Sequence, residues 1–171
     1  MKKIHLLFAS FILISGAAFS QTAPKFKVTK DGIKPVVIAL DTSYSANLIY
    51  TRVKEWISLN NKSPKAVTKI DNENSLVKFS CYKDKAWRTK SNGVDYWNEL
   101  PYTLSVEIKK AKVRITFDSN ETRYKVWYAK DGSLIKNFKE SEATFEATVN
   151  ETLTSLYNHI KGSKKKVADD W

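Results

Sequence analysis

A chain with one cysteine cannot staple itself, and Cys81 is the only one in 171 residues. Disulfide scaffolding within the chain is therefore excluded. In Leu76-Val77-Lys78-Phe79-Ser80-Cys81 the thiol shares a strand face with Val77 and Phe79. That is the setting of a buried, inert thiol rather than a reactive one. Histidine is nearly as scarce, with His5 near the start and His159 near the end. One cysteine and one histidine in distant elements leave no zinc-type ligand spacing, and no local motif joins them as nucleophile and base. The glycines are few and never clustered, so no phosphate-cradling loop is present. No metal, no cofactor and no catalytic residue is expected from these patterns. Paired carboxylates can come from any two parts of a fold, so a glycosidase-like pair is neither offered nor excluded.

Long apolar runs are also missing, apart from one. Ile4 to Ile14 is almost wholly apolar, follows Lys2 and Lys3, and ends at Gly16. Ala18-Phe19-Ser20 then places small residues where signal peptidase reads them. Residues 1–20 are expected to be a secretory signal peptide cut before Gln21. The run is too short for a spanning helix, which needs about 20 apolar residues. No cysteine follows the small residues, so a lipid anchor is not expected either. The protein is expected to be exported, periplasmic or secreted, with no transmembrane anchor.

Acidic residues are outnumbered. Lys and Arg total 29 against 18 Asp and Glu, a net charge of +11, from which the two leader lysines are then lost. A basic exported protein has some affinity for anionic surfaces such as head groups, acidic polysaccharide or nucleic acid. The charge is spread along the chain, however, and solubility alone explains it. Export argues against nucleic acid as a partner in vivo.

What is present is periodicity. Residues 21–34 are polar, with Pro24 and Asp31-Gly32, and read as an exposed lead-in. Pro35 to Leu40 is a short apolar run rich in β-branched residues, hence a buried strand. Asp41-Thr42-Ser43 offers N-cap oxygens. Ala46, Ile49, Tyr50, Val53, Trp56 and Ile57 then recur at helical spacing, with polar residues between them. The pattern predicts an amphipathic helix, ended by Asn60-Asn61 and Ser63-Pro64, with Trp56 packing it against a sheet. Short strands are predicted over 66–70 and 76–82, with a turn at Asp71–Asn74. Lys83 to Pro101 reads as irregular, with a turn at Asn92-Gly93. Centring a turn on Lys110-Ala111 opposes Ile108 to Val113, Val106 to Ile115 and Leu104 to Phe117 on one face. On the other face it opposes Glu107 to Arg114 as a cross-strand ion pair. Without Asn-Gly or Asp-Gly at its centre, this turn is expected to be a looser loop. Thr122 to Ala129 reads as a further strand, on which only one of Trp127 and Tyr128 can be buried, and Leu134-Ile135 as pairing back. A last helix is predicted with Ser141 as its cap and Phe145, Val149, Leu153, Leu156 and Ile160 as its stripe. His159 sits at the flank of that stripe. Residues 163–171 read as a basic flexible tail. One α+β domain over 35–162 follows, a mostly antiparallel sheet with two helices packed on one face.

Ordered short motifs carry a resemblance. Pro35-Val36-Val37-Ile38, the helix with Leu48-Ile49-Tyr50 and Lys54-Glu55-Trp56-Ile57, the Asp71 turn, and Tyr102 to Lys109 with Val113-Arg114-Ile115 make up the pattern. It resembles an exported domain family of unknown function, typical of Bacteroidetes, described as having a TATA-binding-protein-like fold. The likeness covers roughly residues 34–128, with the last helix fitting loosely. The family has a Gly in the hairpin turn where this chain has Lys110-Ala111. The resemblance implies a fold and an exported compartment. It implies no activity and no site residues, and a fold's name does not license DNA binding.

The remaining candidate site is the segment Tyr82 to Tyr102. It interleaves Lys83, Lys85, Arg88 and Lys90 with Trp87, Tyr96 and Trp97. Trp87, Arg88, Tyr96 and Trp97 are the candidate ligand-binding residues, since rings beside positive charge can stack sugars or bases while holding an anionic backbone. The same residues also read as a long hairpin whose rings close over the sheet edge. Two functions stay open. One is a non-catalytic exported envelope module that binds a protein, glycan or other anionic partner. The other is a hydrolase whose carboxylates the spacing does not reveal. A deep pocket holding two close carboxylates favours the second, and a shallow patch favours the first.

Overall fold

The computed structural model describes residues 23–119 and 123–162. The expected signal peptide of residues 1–20 and the expected tail of residues 163–171 lie outside the described residues. Strands β1 (Val28–Thr29) and β2 (Gly32–Ile33) form a small hairpin. Strand β3 (Val36–Ala39) leads into helix α1 (Ala46–Asn60) and the single turn α2 (Pro64–Val67). Strands β4 (Thr68–Asn72), β5 (Leu76–Ser91), β6 (Val94–Lys109) and β7 (Lys112–Ser119) follow, and helix α3 (Lys139–Ile160) ends the fold. The main sheet has the order β3-β7-β6-β5-β4, and each of its neighbouring pairs is antiparallel.

Alternation decides which side is covered. On β6, Leu100, Tyr102, Leu104, Val106 and Ile108 are buried, and on β7, Val113, Ile115 and Phe117. Helix α1 lays Ile49, Val53, Trp56 and Ile57 on this face, and α3 adds the whole expected stripe from Phe145 to Ile160. Trp56 packs its ring 5.8 Å from Phe79 and donates its indole N–H to Ser155 Oγ at 3.0 Å, which ties α1 to α3. The predicted register of β6 and β7 is met pair by pair, with Glu107 opposite Arg114 at 3.7 Å. Cys81 faces inward and is half-buried. Its burial raises the thiol pKa and keeps it protonated.

Several expectations are corrected. The lead-in is not simply exposed, because Phe26 and Val28 belong to the core. Asn150 of α3 holds Phe26 like a strand neighbour. Its side chain accepts from the Phe26 N–H at 2.7 Å and donates to the Phe26 carbonyl at 3.0 Å. The segment 83–101 is not irregular but the distal half of two 16-residue strands. The turn at Lys110-Ala111 is tight. Lys109 pairs directly with Lys112, and Ala111 takes φ +55°. Two backbone hydrogen bonds hold it there, Leu40 N–H to the Ala111 carbonyl at 2.8 Å and Ala111 N–H to the Tyr44 carbonyl at 2.9 Å.

Arg123–Trp127 is a 3₁₀ helix rather than a strand. Three residues per turn put Tyr124 and Trp127 on one side. Both rings meet Phe145, at 5.8 and 5.7 Å, while Val126 is left exposed. Ser45, not the Asp41–Ser43 oxygens, caps α1 by accepting from Leu48 N–H. Ser141 is no cap. A short 3₁₀ turn, Lys136–Phe138, feeds α3 two residues earlier, and Ser141 is buried in its first turn.

Candidate functional site

The β5–β6 hairpin projects past the short edge strand β4, which pairs with β5 only as far as Phe79. Its tip is Asn92-Gly93, with φ +51° and +79°, the left-handed pair that a two-residue hairpin turn requires. Beyond Lys83 the free edge of β5 is covered by α3. Arg88 N–H donates to Thr144 Oγ1 at 3.1 Å, Thr148 Oγ1 donates to the Ala86 carbonyl at 2.6 Å, and Lys83 pairs with Glu151 at 3.2 Å. Helix side chains thus satisfy a strand edge that would otherwise be open. A bulge interrupts the ladder. Lys83 opposes Leu100 and Trp87 opposes Asn98, so Asp84, Lys85 and Ala86 face the single residue Glu99, and Lys85 takes φ +49°. Bulges of this kind re-aim side chains.

The structure separates the four residues proposed from sequence. Trp87 leaves the surface. It is 1 % exposed, with its ring 5.4 Å from Phe145 and 6.4 Å from Trp127, because α3 and the 3₁₀ helix cross the hairpin at that point. Arg88 is already engaged. Its guanidinium holds Asp95 at 3.0 Å and Glu140 in the first turn of α3. An anion would have to displace both carboxylates. Tyr96 and Trp97 are consecutive and therefore face opposite ways, at 52 % and 53 % exposed. By alternation Trp87 and Tyr96 lie on the helix side, while Arg88 and Trp97, paired directly in the ladder, share the opposite face.

That shared face is the bare side of the sheet, opposite the helices. It carries residues that the sequence argument did not select. Tyr82, 58 % exposed, opposes Pro101. Hydrogen bonding with the neighbouring Glu99 carboxylate, more than desolvation or the charges of Glu99 and Asp84, pushes the phenol pKa up to about 12. Along β6 the outward sequence is therefore Pro101, Glu99, Trp97, Asp95, with Tyr82 and Arg88 beside it on β5. Strand alternation back from Asn92-Gly93 would have pointed at Glu99 and Trp97. The bulge adds two residues to β5, so Tyr82 keeps its face but opposes Pro101 instead of Thr103.

Two open grooves lie elsewhere, on the flank of α1. One, of about 580 Å³, is lined by Tyr50, Lys54, Leu59 and His159, and its carboxylate, Glu55, lies 3.4 Å from His159. The other, of about 780 Å³, runs between α1 and α2 to Asp71. Asp71 is bonded by Lys54 and by the Tyr50 hydroxyl. The Lys54 bond chiefly lowers its pKa, and the carboxylate in turn raises that of Tyr50. Each groove thus holds one carboxylate beside a basic neighbour, rather than a close pair. Among the described residues, no three His, Cys, Asp or Glu side chains gather as metal ligands would, and no helix is long and apolar enough to cross a membrane.

No protein-family model and no curated protein matches the chain. Two solved structures are similar in fold. A DUF4468 family protein from Bacteroides ovatus shares 10% identity over 77% of this chain and 85% of that one, with a TM-score of 0.51. A TBP-like protein from Parabacteroides distasonis shares 12% identity over 81% of this chain and 97% of that one, with a TM-score of 0.55. At such identities the likeness is one of fold. It agrees with the resemblance stated from the sequence, an α+β domain of TBP-like architecture with two main helices on one face of a five-stranded antiparallel sheet.

Proposed function

We propose that this chain is a non-catalytic, exported envelope module that meets its partner with the bare face of its sheet. One observation carries the reading. Two large rings, Tyr82 and Trp97, stand half-exposed on the helix-free side of a hairpin whose root is fixed in the core. Burying such rings needs little backbone ordering when the strands beneath them are already held, and pre-organised aromatic surface is what recognition uses. The hydrolase alternative has less support, because the grooves lie on the flank of α1 and each holds a single carboxylate rather than a close pair. Export rests on the leader. Intact-mass analysis of the released protein should find residues 1–20 missing, and retention of them would remove the exported part of the reading.

A photo-crosslinking amino acid at position 97, in cells that export the protein, tests the binding face. Adducts are expected there and not from the same group at position 51, an exposed site on α1. Equal adduct formation at both positions, or none at 97, would reject the reading.

A further inference from the structure

We propose that the outer face of the β5–β6 hairpin is a binding subsite for a neutral polysaccharide, with Trp97 and Tyr82 as stacking rings and Glu99 as the hydroxyl acceptor between them. The inference rests on the binding-module reading above and names its ligand class. Three features of the face select that ligand over the other partners a basic exported protein suggests.

The first is charge. The chain carries +11, yet around these rings Asp84, Asp95 and Glu99 offset Lys85, Arg88 and Lys90. Arg88 is further tied to Glu140. An anionic polymer would meet no excess of free cations here, and steering by the whole protein's field would be opposed locally. The second is the layout of apolar surface. Pro101 and Trp97 lie two alternations apart on β6, roughly 13 Å along the strand, and Tyr82 stands opposite Pro101. The charged Glu99 sits between the two rings. A protein interface concentrates its energy in a compact, dry apolar centre, and a carboxylate in the middle prevents one. An extended sugar chain suits the same spacing. It offers apolar C–H faces at intervals and hydroxyls between them.

The third is hydrogen-bonding capacity. A carboxylate has about four acceptor sites, and the register sets Glu99 on the outward face next to the Tyr82–Pro101 pair. Those acceptor sites suit the donors of a polyol. The support beneath is rigid. Trp87 is locked in the core below, and the α3 threonines hold the bulged edge. The bulge is what brings this arrangement about, since it sets Glu99 alone against Asp84–Ala86 and so places Tyr82 beside it.

The test is a printed array of neutral and acidic oligosaccharides, followed by calorimetric titration of the strongest neutral ligand. The wild type should bind neutral glycans with little dependence on salt. Trp97→Ala should weaken binding roughly tenfold or more, the scale of losing one stacked ring. Glu99→Gln should weaken it too, while Leu59→Ala, on the α1 flank, should leave it unchanged. The proposal is overturned if no neutral glycan binds, if Trp97→Ala binds as the wild type does, if Leu59→Ala loses as much, or if only acidic glycans bind and salt abolishes it. Adducts to a protein at position 97 with no neutral glycan bound would overturn the ligand class and leave the binding-module reading standing. No adduct and no glycan would overturn both.

Discussion

Trp87 and Trp97 are ten positions apart in one aromatic, basic segment, and their replacement should separate sharply. Trp87 is 1 % exposed and edge-on to both Phe145 and Trp127. Truncating a fully buried tryptophan costs about 3–5 kcal/mol, in transfer energy and in the cavity left behind. Two aromatic pairs are lost with it, each worth about 0.5–1.5 kcal/mol, so Trp87→Ala belongs near the upper end, at about 4–5 kcal/mol. That is a large part of the roughly 5–15 kcal/mol that holds a domain together. Trp97 is 53 % exposed and opposes Arg88 in the ladder, and Trp97→Ala should cost about 1 kcal/mol or less, the scale of a cross-strand pair. Urea denaturation distinguishes them. With an m-value of about 1–2 kcal/mol/M, the Trp87→Ala midpoint should fall by about 2–5 M. Trp87→Phe keeps part of the ring packing and provides a folded variant, with a smaller loss in the same direction. Amides of residues 88–97 should also lose hydrogen-exchange protection in the Trp87 variants, because the hairpin is anchored there. Equal costs for Trp87→Ala and Trp97→Ala, or a Trp87→Ala cost under about 1 kcal/mol, would refute the anchoring argument.

Asn150→Asp should turn the donor facing the Phe26 carbonyl into an acceptor and cost about 1–3 kcal/mol. Limited trypsin digestion should then cut at Lys25 and Lys27 before the rest of the chain, and an unchanged cleavage order would count against the clamp. Ala111→Gly should stabilise by about 0.5–1 kcal/mol. A left-handed Ala costs about 1–2 kcal/mol, part of which Gly returns as unfolded-state entropy. A lower denaturation midpoint would contradict this. Tyr82, whose folded pKa of about 12 lies above its ordinary value, adds stability that is present below pH 10 and lost as pH rises through 12. Glu99→Gln should bring one tyrosine's ionisation back toward 10 in a tyrosinate absorbance titration, and an unaltered curve would remove the Tyr82–Glu99 bond.

Where a segment's partners are close in sequence, its arrangement was legible. Ile49, Val53, Trp56 and Ile57 declare one side of α1 by spacing alone, and that side is buried. The β6–β7 register follows from two alternating runs and a turn between them, down to Glu107 facing Arg114. The one local error there, a loose loop for a tight turn, arose because Ala111 is held left-handed by Leu40 and Tyr44, some seventy residues upstream by way of the β3–α1 connection. The Tyr124–Trp127 stretch shows a similar limit. As a strand it would have buried Trp127 without Tyr124, but Phe145 on α3 offers a surface that takes both rings, and a 3₁₀ turn is the conformation that presents both.

By itself, the order of residues determined the α+β class, the two amphipathic helices and the inward face of the central strands. Period and polarity are properties of neighbours along the chain. It did not determine which aromatic residues would be left bare. Phe26 is polar-flanked and reads as surface, yet Asn150, 124 positions away, draws it into the core. Trp87 and Trp97 read alike, yet α3 and the 3₁₀ helix cover one and leave the other in solvent. Glu99 and Tyr82 become neighbours through a bulge whose register is held by α3 side chains. Alternation assigns residues to faces, but coverage of a face depends on elements that arrive from the far end of the chain, and here that coverage separates the anchor from the proposed binding surface.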